Sequence, residues 1–385
     1  MKQCLSLFLV LVMLLSLCAC GHNTTDEKDA ETSPKDTSSE QDDISAGPAE
    51  PVNANAYIAL ITDFGNIDDR SFNQSCWEAV VDFAEKNGAK YNYYRPAENS
   101  SVARAEAINK AIEDGATVCV CPGNLFEETL YSVQYQFPDV QFLLLDGEPH
   151  DVDYNYDTAP NVHCIIYKEE ESGYLAGYAA VMDGMTQLGF IGGMAIDSVM
   201  RYGYGFVQGA DAAAQELGKD ITINYWYANT FLPNDTIYNT AYDWYTNETQ
   251  VIFACGGSLG SSVIKAAQEL GTYVIGVDSD QHYISDAVIT SAMKQLYSTC
   301  LNALEDLKNN NWVWSEEYSS TTAVLGADSN AIALPTSDES WNFSSFTVET
   351  YKKILSAIAA DEVAISNDVS AVPAVGEQTT VNYLE

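Results

Sequence analysis

From residue 57 onward the chain alternates short, β-rich apolar runs with segments of helical periodicity, one pair about every thirty residues, and this alternation restricts the fold more than any other feature. Parallel strands cannot be joined by tight turns; they need crossovers, which are right-handed when a helix makes them. The expected class is therefore α/β, with doubly wound parallel sheets flanked by helices. A first set begins with "YIALIT" (57–62). It continues with a helix that puts Phe72, Cys76, Val80, Phe83 and Ala84 on one face and stops at Asn87-Gly88. Next come a strand near "KYNYY", a helix from Val102 to Glu113, "ATVCVC" (116–121), a helix around 125–136, and "QFLLLD" (141–146).

The same grammar restarts at "VHCIIY" (162–167). It runs through a helix in "EEESGYLAGYAAVM", the strand "QLGFIGG", a helix over 199–217, "INYWYA", a helix near 235–246, "QVIFAC", a helix at 260–270 and "TYVIGVD". The remainder, with a strand-like "TTAVLGA" (321–327) and a helix around 347–360, is too small for a third domain and is assigned to completing the two lobes. The expected division is residues 56–163 with about 278–322 in lobe I, and 164–277 with about 323–385 in lobe II. Repeated passage between lobes would act as a hinge around a cleft.

The first twenty residues, "MKQCLSLFLVLVMLLSLCAC", place a lysine ahead of an apolar run of signal-peptide length and end in Leu17-Cys18-Ala19-Cys20. That ending resembles a bacterial lipobox, in which the cysteine is diacylated and becomes the mature N-terminus. Cys20 is the expected anchor, on the extracytoplasmic face of the cell membrane. Residues 21–55 are acidic and nearly devoid of large aliphatic side chains, so a disordered tether is expected there. No later segment approaches the roughly twenty apolar residues of a membrane span.

Charge narrows the ligand. The chain carries a formal −38, and from residue 56 on there are 46 acidic against 14 basic residues. Such a surface repels nucleic acid and phosphorylated ligands, so a neutral or cationic ligand is expected and a nucleic acid is not. Cys76, Cys119, Cys121, Cys164, Cys255 and Cys300 sit mostly in apolar runs without paired metal spacing and read as small core residues. The four histidines are isolated, and no metal or cofactor is expected.

In doubly wound sheets, ligands lie beyond the carboxyl ends of the strands. Four polar clusters fall at such ends: Asp63 to Asn73, Asp146-Gly147, Gly256-Gly257 and Asp278 to Gln281. The first belongs to "TDFGNIDDRSFNQS" (62–75), which by itself is open to three readings: a calcium-liganding loop, a sugar-diol clamp, or a polar strand-to-helix turn in which Asp68 and Asp69 satisfy free helix N–H groups.

Taken in order, "TDFGNIDDRSFNQS", "EEESGYLAGYAA" (169–180), "GFIGGM" (189–194), "GYGFVQGA" (203–210), and "GVDSDQ" with "ITSAMK" (276–294) resemble the BMP (basic membrane protein) family of lipoprotein substrate-binding proteins, over roughly residues 57–300. The resemblance implies a two-lobed periplasmic-binding-protein type I clamshell, working as a monomer that delivers a purine nucleoside to an ABC permease. Carried over position by position, it makes Phe72 and Phe231 the base-stacking aromatics. Asp146 becomes the acceptor at the base edge, Asp278 the acceptor for the ribose hydroxyls and Lys294 the sugar-side donor. Asp63 and Asn73 would line the first-loop side. Independently of the resemblance, Gly256-Gly257 are expected to serve a tight turn near the ligand. The chain departs from the family at Arg70, where lysine is common, and at "PGNLFEE", where a glycine-rich stretch is commoner.

Two rivals remain. Nucleoside hydrolases hold Ca²⁺ with two aspartates one residue apart and a following Asp-Asp pair, but the first of those positions here is Ile61, which cannot ligate a cation. A G-x-S-x-G elbow, a P-loop and a zincin helix are absent from the sequence, so an enzyme is not expected. A sugar-binding or sensor lipoprotein of the same fold is the other rival, since aspartate and aromatic groups also suit pyranoses.

Overall fold

A computed structural model describes residues 56–384. The expected leader, the Cys20 anchor and the tether lie outside the described residues. In chain order the elements are β1 (Tyr57–Ile61), α1 (Phe72–Asn87), β2 (Lys90–Tyr94), α2 (Ser101–Glu113), β3 (Val118–Pro122), α3 (Glu127–Val133), β4 (Gln141–Leu145), β5 (Val162–Tyr167), α4 (Glu169–Met182), β6 (Gln187–Gly192) and α5 (Asp197–Leu217). Then come β7 (Ile221–Tyr227), α6 (Asp235–Thr246), β8 (Val251–Cys255), α7 (Gly260–Leu270), β9 (Tyr273–Asp278), β10 (Val288–Lys294), α8 (Leu296–Asn309), β11 (Thr321–Leu325), β12 (Ile332–Ala333), α9 (Val348–Ala359) and β13 (Thr379–Tyr383).

The strands form two sheets, ordered β11-β5-β4-β3-β1-β2 and β12-β10-β9-β8-β6-β7-β13. Every pairing is parallel except that of β10 with the two-residue β12. The central strands of each sheet are buried on both faces, which is why they read as continuous apolar runs rather than alternating ones. In β1, Ile58 and Leu60 join the core beneath α1 and α8, while Ala59 and Ile61 join the core beneath α2 and α3. The second sheet is packed likewise by α4 and α5 on one face and by α6 and α7 on the other. The six cysteines are free and buried, as core residues should be.

Helix ends obey local rules. Ser100, Asn234 and Thr347 accept backbone N–H groups at the starts of α2, α6 and α9, at 3.1, 2.9 and 3.2 Å. Gly88 closes α1 in the left-handed conformation at φ 69°, where a side chain would be strained. Helices α4 and α5 approach more closely than any side chain allows: a Cβ on Gly173 would lie 2.1 Å from the Tyr202 carbonyl oxygen, and one on Gly205 would lie 2.1 Å from that of Glu170.

The lobe boundaries differ from expectation. β5 pairs with β4, Phe142 opposite Val162, so 162–167 closes the first sheet instead of opening the second. β10 pairs with β9, which keeps 278–294 in the second lobe. The chain crosses after Tyr167, returns after Lys294 so that α8 packs on α1, and crosses finally after Leu325. An apolar strand carries no mark of its partner, and partner choice is what sets these boundaries. The crossings lie side by side: Lys168 N–H donates to Leu325 O at 2.9 Å, and Gln295 N–H to Ala331 O at 2.8 Å.

Candidate functional site

The strand ends converge on one cleft between the lobes, enclosing about 660 Å³ between atoms, part of it open to solvent. All eight residues singled out from the sequence, Asp63, Phe72, Asn73, Asp146, Phe231, Gly256, Asp278 and Lys294, line it. The lobes are hydrogen-bonded across it. Ser198 Oγ donates to Asn124 Oδ1 at 2.7 Å, Gln281 Nε2 donates to the Arg70 carbonyl at 2.9 Å, and Ser71 Oγ donates to Asp278 Oδ2.

The carboxylates of "TDFGNIDDRSFNQS" have separate fates. Asp69 is buried and caps α1, accepting the N–H groups of Ser71, Asn73 and Gln74, each at 3.0 Å. Burial nevertheless pushes its carboxyl up to about 6. Asp68 is exposed. The helix-terminal role expected of the pair thus falls to Asp69 alone, which leaves the Ser71 hydroxyl free for Asp278. Asp63 Oδ1 accepts from the N–H groups of Phe64 and Gly65 at 2.6 and 2.7 Å and from Asn73 Nδ2 at 3.0 Å. Asn73 Nδ2 also donates to Asp69 Oδ2 at 2.9 Å. Most of the polar capacity of Asp63 and Asn73 therefore goes into shaping their own loop.

Asp146 follows β4 and Asp278 ends β9, both at φ 65°. Left-handed backbone is uncommon outside glycine, and aspartate is among the few residues that tolerate it. Between them lies Lys294, the last residue of β10. Its Nζ donates to Asp146 Oδ2 and stands 3.0 Å from Glu169 Oε1 and 4.0 Å from Asp278 Oδ1. These four side chains are between 0 and 9% exposed, so their charges meet little solvent. Burial alone would lower the lysine, but the three carboxylates outweigh it and hold the ammonium above its usual range. Burial, with the adjacent Glu169 and Asp278 opposing the pull of Lys294, pushes the Asp146 carboxyl up to about 7. Asp146 Oδ1 is buried and has no hydrogen-bond partner among the described residues.

Asp146, which the resemblance gives to the base edge, stands against Lys294, so Asp146, Lys294 and Asp278 form one cluster. The aromatics come from opposite lobes. Phe72 also packs against the core beneath α1, and Lys294 Nζ lies 5.0 Å from its ring centroid. Phe231 lies over Gly193, where a Cβ would come within 2.3 Å of the ring. Sequence reasoning missed Asn124, Ser198 and Tyr202 on the cavity wall, and Glu169 and Arg201 behind it. The "EEES" and "GYGF" segments drew notice only as family motifs, because nothing local shows that their charged residues meet. Among the described residues no group of three or more His, Cys, Asp or Glu side chains could hold a metal ion. Nor is any described helix long and apolar enough to cross a membrane.

Two doubly wound lobes joined by three adjacent crossings thus enclose one polar cleft. An ABC transporter system solute-binding protein from Aeropyrum pernix K1 shares this fold at TM-score 0.66, with 20% identity, over 82% of this chain and 88% of that one. The chain belongs to the Bmp family, ABC transporter substrate-binding protein PnrA-like, whose model matches residues 57–368. The ABC transporter nucleoside-binding protein BmpA of Lactococcus lactis is 28% identical over 274 residues, 65% of this chain and 74% of that protein. Basic membrane protein B of Borreliella burgdorferi is 30% identical over 291 residues, 73% of this chain and 81% of its own.

Proposed function

We propose that this substrate-binding protein captures an uncharged purine nucleoside between its lobes and hands it to the permease of an ABC importer, while Cys20 anchors it by lipid outside the cell membrane. The observation that carries the reading is a single cavity walled by one aromatic from each lobe, Phe72 and Phe231, and floored by the Asp146–Lys294–Asp278 cluster. A flat base stacks favourably on aromatic faces whatever its identity. A ribose diol matches a carboxylate, which accepts from two adjacent hydroxyls, and a lysine, which donates. The unpartnered Asp146 Oδ1 supplies a further acceptor on the sugar side. The base edge then faces the first-loop side, near Asp63 and Asn124. The nucleoside-binding relative supports the ligand class.

Charge argues against nucleotides. A phosphate brought to about 4 Å from one of these carboxylates is opposed by roughly 4 kcal/mol at an effective dielectric of 20. Calorimetric titration with adenosine, guanosine, inosine, their monophosphates and a set of monosaccharides tests the reading, and the mixtures are assayed for released base. Binding of nucleosides well above monophosphates is expected. Tight binding of a monosaccharide with none for nucleosides would replace the ligand, and release of free base would replace the receptor with an enzyme.

A further inference from the structure

Two charged residues near the cleft form no part of its wall. Glu169, the first residue of α4, is fully buried, and its Oε2 accepts from Arg201 Nε of α5 at 2.5 Å. Its Oε1 forms an ion pair with Lys294 Nζ at 3.0 Å and has no hydrogen-bond partner among the described residues. Burying an ion costs several kcal/mol unless its partners are well placed, and here the placement is rigid. The backbone contacts at Gly173 and Gly205 lock the first turn of α4 against α5 within one turn of Glu169 and Arg201. Lys294 and Arg201 together outweigh burial and hold the Glu169 carboxyl below its usual range, so it stays ionised. Both ends of this relay sit at crossings between the lobes: Glu169 follows the first, and Lys294 precedes the second.

We propose that Glu169 and Arg201 are positioning residues that set the site's preference for a neutral, hydroxylated ligand end. An unencumbered lysine in a cleft is a ready binder of phosphate. Glu169 occupies part of the Lys294 charge and fixes its ammonium between Asp146 and Asp278, leaving a donor directed to a neutral oxygen. Arg201 holds Glu169 in the orientation that does this. The inference deepens the nucleoside reading and rests on it for the ligand, but its account of Lys294 can be read without ligand.

The test compares wild type, Glu169→Gln, Arg201→Met and Arg201→Lys by calorimetry with adenosine, AMP and adenine, and records the ¹⁵N resonance of the Lys294 ammonium in ligand-free protein, assigned through Lys294→Arg. Glu169→Gln should weaken adenosine about tenfold, leave adenine within about twofold and narrow the adenosine-to-AMP preference, because a hydrogen bond to a charged group is disturbed only at the sugar end. Arg201→Met should act in the same direction, and Arg201→Lys should restore most of the loss. The ammonium resonance should move in the first two variants and return in the third. Equal weakening of all ligands, or no rescue by lysine, overturns the proposal. If wild type binds no nucleoside, the ligand reading fails while the resonance still decides the positioning: an unmoved signal overturns it and a shift rescued by lysine sustains it. Should Glu169→Gln not fold, the two Arg201 variants carry the same comparison.

Discussion

The two lobes are built on the same strand order and present different chemistry from equivalent places. In each, the third strand is followed by a glycine, a single 3₁₀ turn and a helix: Gly123 before 124–126 and α3, Gly256 before 257–259 and α7. In each, the fourth strand is followed or ended by an aspartate at φ 65°, Asp146 or Asp278. The first strands diverge. β1 leads into the long, hydrogen-bonded loop of Asp63, Asp69 and Asn73, whereas β6 leads into Gly193 beneath Phe231 and on to Ile196 and Val199. The fifth strands diverge most, ending in Tyr167 in one lobe and Lys294 in the other, with the Lys294 ammonium 5.4 Å from the Tyr167 ring centroid. Equivalent backbone frames thus supply matched acceptors, while at the unmatched positions the first lobe pairs a polar loop after β1 with an aromatic end to β5, and the second lobe pairs an apolar stretch after β6 with a cationic end to β10.

The sharpest break in this comparison is at the fifth strands. Lys294→Met leaves buried Asp146 and Asp278 without a cation and Glu169 with Arg201 alone, and should destabilise the protein by about 3–5 kcal/mol at neutral pH, measured by urea unfolding. Tyr167→Phe loses one hydroxyl contact, to Thr299, and should cost about 1 kcal/mol. Equal losses would mean that Lys294 is not the charge that balances the cluster.

At the matched aspartates, Asp278→Ala should weaken adenosine binding by about 1.5–3 kcal/mol, with a smaller loss for 2′-deoxyadenosine. Uniform loss across both ligands would show that Asp278 does not face the diol.

The first-strand loops separate next. Gly193→Ala drives a methyl into the Phe231 ring and should weaken nucleoside binding by about 1–2 kcal/mol through lost stacking. Gly65→Ala, whose methyl would meet Asn73 and Asp63 at 3.1 and 3.2 Å, should have the smaller effect. The reverse order would move the base away from Phe231.

The remaining effect is in pH. Asp69 is pushed up to about 6, and Glu127, Asp146 and Glu170 to about 7, in each case chiefly by burial. The folded protein therefore binds protons that the unfolded chain releases, so stability should rise as pH falls from about 7 toward the ordinary carboxylate range near 4. Urea unfolding should show stability rising between pH 7 and 5, and the opposite slope would mean that these carboxyls are ionised in the fold.

Much of this molecule was readable residue by residue. The apolar runs marked the long parallel strands, Asn87-Gly88 marked the end of α1, and the polar clusters after β1, β4, β8 and β9 marked the ends that meet at the cleft. Those signals are local, because burial on both faces of a sheet and the strain of a left-handed cap act on a residue through its immediate neighbours. Which lobe owns β5 and β10 was not readable, since an apolar strand is compatible with either sheet until its hydrogen-bond partner is chosen. The ionic floor was equally hidden. Asp146 and Lys294 are 148 residues apart, and Glu169 and Arg201 are 32 apart. They meet only because the crossings return the chain to the same hinge and the glycines of α4 and α5 let two backbones touch, so the tertiary structure alone decided which charges would be buried together.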